Sequence, residues 1–186
     1  MVKMVKYCCA LGLILAFAAP AFAQDDYPVF QIAPGYGNIG FRFDFRDPNL
    51  APFVNLKPGR HSGFVLDTNF NFNARFGVDL FTGYYSVAPN STLYTNTFGM
   101  TASLRKSSRI IPYGTAGFGF GSLQLSTQLG VLGEKSMATR IGGGVDIPFN
   151  DSMAIRVDVT RMGFHFEKKW NSAANYSVGV VLNLSQ

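Results

Sequence analysis

The stretch Ile39-Gly40-Phe41-Arg42-Phe43-Asp44-Phe45-Arg46 alternates without a break. Ile39, Phe41, Phe43 and Phe45 share one parity; Gly40, Arg42, Asp44 and Arg46 share the other. Side chains of a β-strand alternate between its two faces, so this segment predicts a strand with one greasy face and one small or charged face. The pattern recurs along the chain. Repeated strands with an apolar and a charged face predict a barrel turned inside out, with lipid against the apolar face and polar groups within.

Seven further segments carry the alternation, so eight strands are expected, the first over about 36–46. The second, 61–72, sets Phe64, Leu66, Phe70 and Phe72 against Val65, Asp67, Asn69 and Asn71. The third, 75–87, opposes Phe76, Val78, Leu80 and Tyr84 to Gly77, Asp79 and Gly83. The fourth, 93–105, has Phe98, Met100, Ala102 and Leu104 against Gly99, Thr101, Ser103 and Arg105. The fifth, 110–125, sets Ala116, Phe118 and Phe120 against Gly117, Gly119 and Gly121. The sixth, 137–149, places Ile141, Val145 and Ile147 opposite Arg140, Gly142, Gly144 and Asp146. The seventh, 153–166, sets Ile155, Val157 and Val159 against Arg156, Asp158 and Thr160. The eighth, 176–185, has Val178, Val180, Leu182 and Leu184 against Ser177, Gly179 and Asn183. In the seventh segment Phe164 and Phe166 share parity with Arg156, which predicts a bulge near 161–163.

The connections predict an up-and-down order. Asn73-Ala74, 106–109 and 150–152 are short and polar, as hairpin turns are. The others are expected to be longer, above all 47–60 with its prolines and asparagines. Short turns at a periplasmic end and longer loops at an extracellular end is the arrangement of outer-membrane barrels. Tyr84, Tyr85, Tyr94, Phe164, Phe166, Trp170 and Tyr176 are expected to form one aromatic girdle. Phe70, Phe72, Phe76, Tyr113 and Phe149 are expected to form the other.

Residues 1–23 predict an export signal. Lys3 and Lys6 precede an uncharged apolar stretch, 8–17, and Ala21-Phe22-Ala23 offers small residues before a cleavage point ahead of Gln24. The apolar core is shorter than the ~20 residues a spanning helix needs. The barrel is then expected over 24–186, as one domain. Both cysteines, Cys8 and Cys9, fall in the signal, so the barrel has no disulfide to rely on. The chain carries 16 Lys+Arg against 11 Asp+Glu for a formal charge of +5, and two of the cations lie in the signal. So mild and scattered an excess argues against nucleic-acid binding.

The whole segment after the signal resembles the OmpA/OmpX-like family of small outer-membrane barrels. The resemblance rests on the signal, the eight alternating segments, Pro112-Tyr113-Gly114-Thr115-Ala116-Gly117-Phe118-Gly119 and Ile141-Gly142-Gly143-Gly144-Val145-Asp146. The end of the chain looks like the family's assembly signal, carried here by Ser177, Gly179, Leu182 and Leu184, without the usual terminal Phe. The resemblance implies an all-β, eight-stranded antiparallel transmembrane barrel in the bacterial outer membrane. It also implies contact with outer-membrane lipids, insertion by the β-barrel assembly machinery, and no cofactor. No peptidoglycan-binding domain is expected after the last strand.

The polar parity gathers Arg42, Arg46, Arg105, Arg140 and Arg156 with Asp44, Asp67, Asp79, Asp146 and Asp158. An eight-stranded barrel is just wide enough for side chains to fill it, and buried charges there must pair. A lumen plugged by an ion-pair network is therefore expected; pairs that swap partners to gate a narrow channel are the alternative. A lipid-modifying enzyme would use His with Ser and an acid. The two histidines are His61 and His165; His165 has no serine two residues on, and Ser172 could approach it only through loop folding. Gly117-Phe118-Gly119-Phe120-Gly121 lacks the strand-then-helix context of a phosphate loop. Its glycines are expected to make room for bulkier neighbours. Asn90-Ser91-Thr92 and Asn175-Tyr176-Ser177 match the glycosylation pattern, a match common by chance. A lipocalin-like soluble barrel is the fold-level rival, and it would turn the apolar face inward. The expected role is a structural or surface-interaction barrel without catalytic activity, whose loops meet an unknown extracellular partner.

Overall fold

The computed structural model describes residues 27–41, 59–88, 90–105, 109–127, 130–166 and 169–185. The predicted signal and Arg42, Asp44 and Arg46 lie outside these residues. Eight strands follow one another: β1 (Phe30–Phe41), β2 (Gly59–Asn71), β3 (Phe76–Ala88), β4 (Ser91–Ser103), β5 (Ile111–Thr127), β6 (Gly130–Asn150), β7 (Met153–Phe166) and β8 (Lys169–Ser185). Each pairs antiparallel with its neighbours in sequence, and β1 pairs with β8 to close the barrel. Closure leaves no sheet edge unpaired, which is what a sheet surrounded by hydrocarbon requires.

The faces sort as the alternation predicts over most of the chain. Phe118 is 66% exposed and Val157 42% on the outside, while Arg140 is 1% exposed within. On β8, Val178, Val180 and Leu184 face out, and Val181 is buried inside. A lipocalin-like arrangement would reverse all of these.

The first strand differs. It begins at Phe30, earlier than the expected start near 36, and its parity is opposite to that expected. Gln31 and Ala33 are buried, and Ile39, in phase with them, is fully buried inside the barrel. Gln31 Nε2 donates to Asn183 Oδ1 at 2.8 Å, and Asn71 Nδ2 donates to Gln31 Oε1 at 3.2 Å. These bonds fix the inward parity at the start of the strand, and the period of two carries it to Ile39.

The seventh strand contains no bulge at 161–163. Its pairing with β6 runs unbroken from Ala138↔Phe164 to Pro148↔Ala154, and the one irregularity lies between Pro148 and Asn150. Phe164 and Phe166 therefore stay in phase with Arg156 and are fully buried inside. They leave the expected girdle, as do Tyr85 and Tyr113. Tyr84, Trp170 and Tyr176 face outward toward one end, and Phe70, Phe76 and Phe149 toward the other.

The β2–β3 and β6–β7 turns, near the end where β1 begins and β8 finishes, are tight. Asn73 Oδ1 accepts from the backbone N–H of Arg75 and Phe76 at 2.8 and 2.9 Å, and Asn150 Oδ1 accepts from that of Ser152 at 3.0 Å. Such side-chain-to-backbone bonds fold a chain back within a few residues. At the opposite end the expected long loops after β3, β5 and β7 are instead strand. Residues 89–90, 128–129 and 167–168 are all that separate those pairs, and 42–58 is the one long connection. Asn90 holds a positive φ of 57°, the left-handed conformation that Asn tolerates in a tight hairpin turn. The β5–β6 hairpin reaches furthest: β6 has 21 residues, about 70 Å of strand at ~3.3 Å per residue. Crossing a bilayer takes only ~9–11 tilted residues, so the hairpin projects well beyond it.

Candidate functional site: a two-layered lumen

The interior divides into two layers. Toward the end where β1 begins it is polar, holding Asp67, Asn69, Asp79, Thr101, Thr115, Arg140, Asp146, Arg156 and Asp158, all buried. Toward the other end it is mostly apolar, with Ile39, Phe81, Tyr85, Leu93, Leu123, Met162, Phe164 and Phe166 in one cluster and Asn175 accepting from the Tyr85 hydroxyl at 2.9 Å. Gly121 makes room there: a Cβ on it would lie 2.7 Å from the Phe164 ring. That is the role expected of the inward glycines, here observed at one of them.

Arg140, on β6, is the hub of the polar layer. It pairs with Asp79 on β3 and, through Nη1 at 3.4 Å, with Asp67 on β2. Its Nη2 also donates to Thr115 Oγ1 at 3.0 Å. Thr115 and Thr101 donate to Asp79 Oδ1 at 3.0 and 3.3 Å, so that carboxylate is held from several sides. Arg156, on β7, makes a bidentate pair with Asp146: Nε to Oδ1 at 2.7 Å and Nη2 to Oδ2 at 2.8 Å. Its Nη1 lies 3.5 Å from Asp67 Oδ2. Asp67 is thus shared by both arginines. Paired charges and planar forks of this kind are the arrangement in which a buried guanidinium is tolerated.

The pairing differs in detail from the simplest sequence expectation. Asp158 is not an ion-pair partner of its near neighbour Arg156; it accepts from the Tyr113 hydroxyl at 3.1 Å. Arg105 lies just past β4 and donates to Gln31 Oε1 at 3.3 Å, away from the Arg140 hub. Burial pulls its guanidinium below the ordinary arginine range, with Asp146 acting in the opposite sense. Two aromatic rings complete the layer. Arg140 Cζ sits 4.4 Å from the Phe81 ring centre and Arg156 Cζ 4.6 Å from that of Tyr113, within the range of cation–π attraction. A void of about 10 Å³ beside Asp67, Arg156 and Asp158 has room for one water.

The residues considered for catalysis sit elsewhere. Ser172 Oγ accepts from Arg161 Nε at 2.6 Å, and the His165 ring packs on Trp170 with centres 5.3 Å apart. Ser177 and Gly179 face inward on β8, while Leu182 and Leu184 face outward, the alternation of an ordinary closing strand.

The sequence matches the profile of the outer membrane protein beta-barrel domain over residues 9–183. The chain belongs to that family. Its place is the bacterial outer membrane, with the β1-start end periplasmic and the 42–58 end external. The fold is similar to that of Neisserial surface protein A, at a TM-score of 0.63 and 12% identity, over 83% of this chain and 97% of that one. It is similar to Ail, the attachment invasion locus protein of Yersinia pestis, at 0.56 and 14% over 82% and 96%. It is also similar to OprG of Pseudomonas aeruginosa, at 0.53 and 12% over 84% and 96%. No curated protein sequence matches the chain.

Proposed function

We propose that the protein is a non-catalytic surface barrel that keeps its lumen shut and meets its partners at the external end. The observation that carries this reading is the stacking of two different seals. The Arg140–Asp79–Asp67–Arg156–Asp146 network fills the periplasmic half, and the Phe81, Tyr85, Phe164 and Phe166 side chains fill the external half. An ion crossing the barrel has to break buried pairs and then pass an apolar layer. Each step is costly in a low-dielectric interior.

The external β5–β6 hairpin and the long 42–58 connection supply the surface on which contact specificity resides. Neisserial surface protein A and the Ail attachment protein lend a surface-contact role to this proposal. Export by a cleaved signal at 1–23 and insertion by the assembly machinery, guided by Ser177, Gly179, Leu182 and Leu184, belong to the same reading. The test is planar-bilayer recording of the purified barrel. A silent wild type is expected; sustained stepwise conductance overturns the plug.

One observation favours a gated channel as the second reading. Arg156 stands between two carboxylates, Asp146 and Asp67, and so has a second partner to swing to. Brief openings of the wild type that disappear in Asp67→Asn would support it over the plug.

A further inference from the structure

The outer wall carries a site of its own. A groove of about 370 Å³ opens on the outward face of β6, β7 and β8, lined by Thr139, Ile141, Arg161, Gly163, Trp170 and Ser172. Gly163 forms its floor because it has no side chain: a Cβ there would stand 2.6 Å from Thr139 Oγ1 and 3.4 Å from the Trp170 ring. Arg161 is exposed, and its Nε is tied to Ser172 Oγ at 2.6 Å. That bond fixes the guanidinium at the groove with one of its five N–H groups.

The height of the groove is readable from β7. Its outward positions run Ile155, Val157, Val159 and then Arg161, so an aliphatic run ends in a charge. The neighbouring outward positions on β8 repeat the step, with Val180 and Val178 followed by Tyr176. A second cation reaches the same patch. Arg60 leaves β2, and its Cζ lies 4.7 Å from the ring centre of Tyr176. Arg161 pairs with Ala174, so Tyr176 is its diagonal neighbour across the β7–β8 ladder. Two guanidinium groups and an amphipathic tryptophan thus crown an apolar wall at the external boundary of the membrane.

We infer that this groove binds the phosphorylated headgroup of an outer-leaflet glycolipid, with Arg161 on the phosphate and the acyl chains against Ile141, Val157 and Val159. Guanidinium recognises phosphate through charge-assisted bonds. The aliphatic wall directly below selects an amphiphile over a free anion. The site is independent of whether the lumen conducts.

Trp170 is the chain's single tryptophan, so its emission reports this groove alone. The protein, extracted from outer membranes into zwitterionic detergent, is titrated with diphosphoryl lipid A, with the same lipid after phosphate removal, and with inorganic phosphate. A saturable shift of Trp170 emission is expected with the diphosphoryl lipid, at least tenfold weaker affinity without the phosphates, and no competition from inorganic phosphate at matched concentration. Arg161→Gln is expected to weaken binding at least tenfold while circular dichroism keeps the barrel signature. Native mass spectrometry is expected to show the lipid adduct lost in parallel. Should Arg161→Gln not fold, Ser172→Ala is expected to weaken binding severalfold in an intact barrel. Equal titration by the dephosphorylated lipid, displacement by inorganic phosphate, or unchanged binding by a folded Arg161→Gln or Ser172→Ala overturns the inference.

Discussion

The guanidinium of Arg140 lies against the ring of Phe81, 4.4 Å from Cζ to the ring centre. The hub of the charged layer therefore rests on the floor of the apolar one, and each layer is packed on the other. Phe81→Ala is expected to lower stability by about 3–5 kcal/mol, the cost of emptying a buried aromatic site. It should leave conductance near zero, because the Arg140–Asp79 pair still closes the polar layer. Urea unfolding in lipid vesicles, alongside bilayer recording, checks both parts.

Arg156→Ala removes a bidentate partner from Asp146 and one of two cations from Asp67. A stranded buried carboxylate costs roughly 3–5 kcal/mol, less where water enters to solvate it. Arg156→Lys keeps the charge but loses the fork, so it is expected to fall between wild type and alanine. The same unfolding titration ranks the three; equal stability of all three would show that the Asp146 pair contributes nothing net.

On the lipid face, Val157→Arg is expected to destabilise by about 2–4 kcal/mol if Val157 lies near the midplane. A change such as Asn55→Ser, in the 42–58 connection, should cost under about 0.5 kcal/mol. Unfolding of both variants from the same bilayer gives the comparison.

Gly121→Val tests the packing of the apolar layer. The new Cβ would sit 2.7 Å from the Phe164 ring, and overpacking of this kind typically costs about 1–3 kcal/mol. Gly121→Val combined with Phe164→Ala should recover part of the loss, a coupling that a double-mutant cycle measures.

Export by the predicted signal has a direct readout. The protein recovered from outer membranes is expected to begin at Gln24 by N-terminal sequencing. A start at Met1 would show that no signal is removed.

Strand count, order and closure were legible because charged and apolar residues alternate through β2 to β8. The inward parity of Asp67, Asp79, Arg140, Asp146, Arg156 and Asp158 was readable for the same reason. The apolar layer was not. Polarity distinguishes the faces of an inverted barrel only where the lumen is polar. Near the external end, Phe81, Tyr85, Phe164 and Phe166 are inward and greasy, so the contrast vanishes there. Phase alone carried the answer: Phe164 keeps step with Arg156, and an uninterrupted strand places it inside. Ile39 misled in the same way, since its alternating neighbours suggested a lipid face that Gln31 and Ala33 had already assigned to the other parity. The short external turns were hidden because Gly, Ser and Thr near 126–136 look like loop residues and yet pair as strand. The Arg161–Trp170 groove depends on the β7–β8 register and has no local motif.

The ion pairs of the hub join residues far apart in the chain. Arg140 and Arg156 come from β6 and β7; Asp67 and Asp79 come from β2 and β3. None of these contacts exists in a sheet that has formed only its first four strands or only its last four. A sheet of the first four strands would present Asp67 and Asp79 without their guanidinium partners, and a sheet of the last four would present Arg140 without its carboxylates, while Arg156 would keep Asp146 on the neighbouring strand. The Arg140 hub therefore gains its charge compensation only when the two halves come together in the closed barrel. This couples the chemistry of the interior to the cooperativity of folding: assembly intermediates are disfavoured, and the barrel is expected to form and come apart as a single unit rather than hairpin by hairpin.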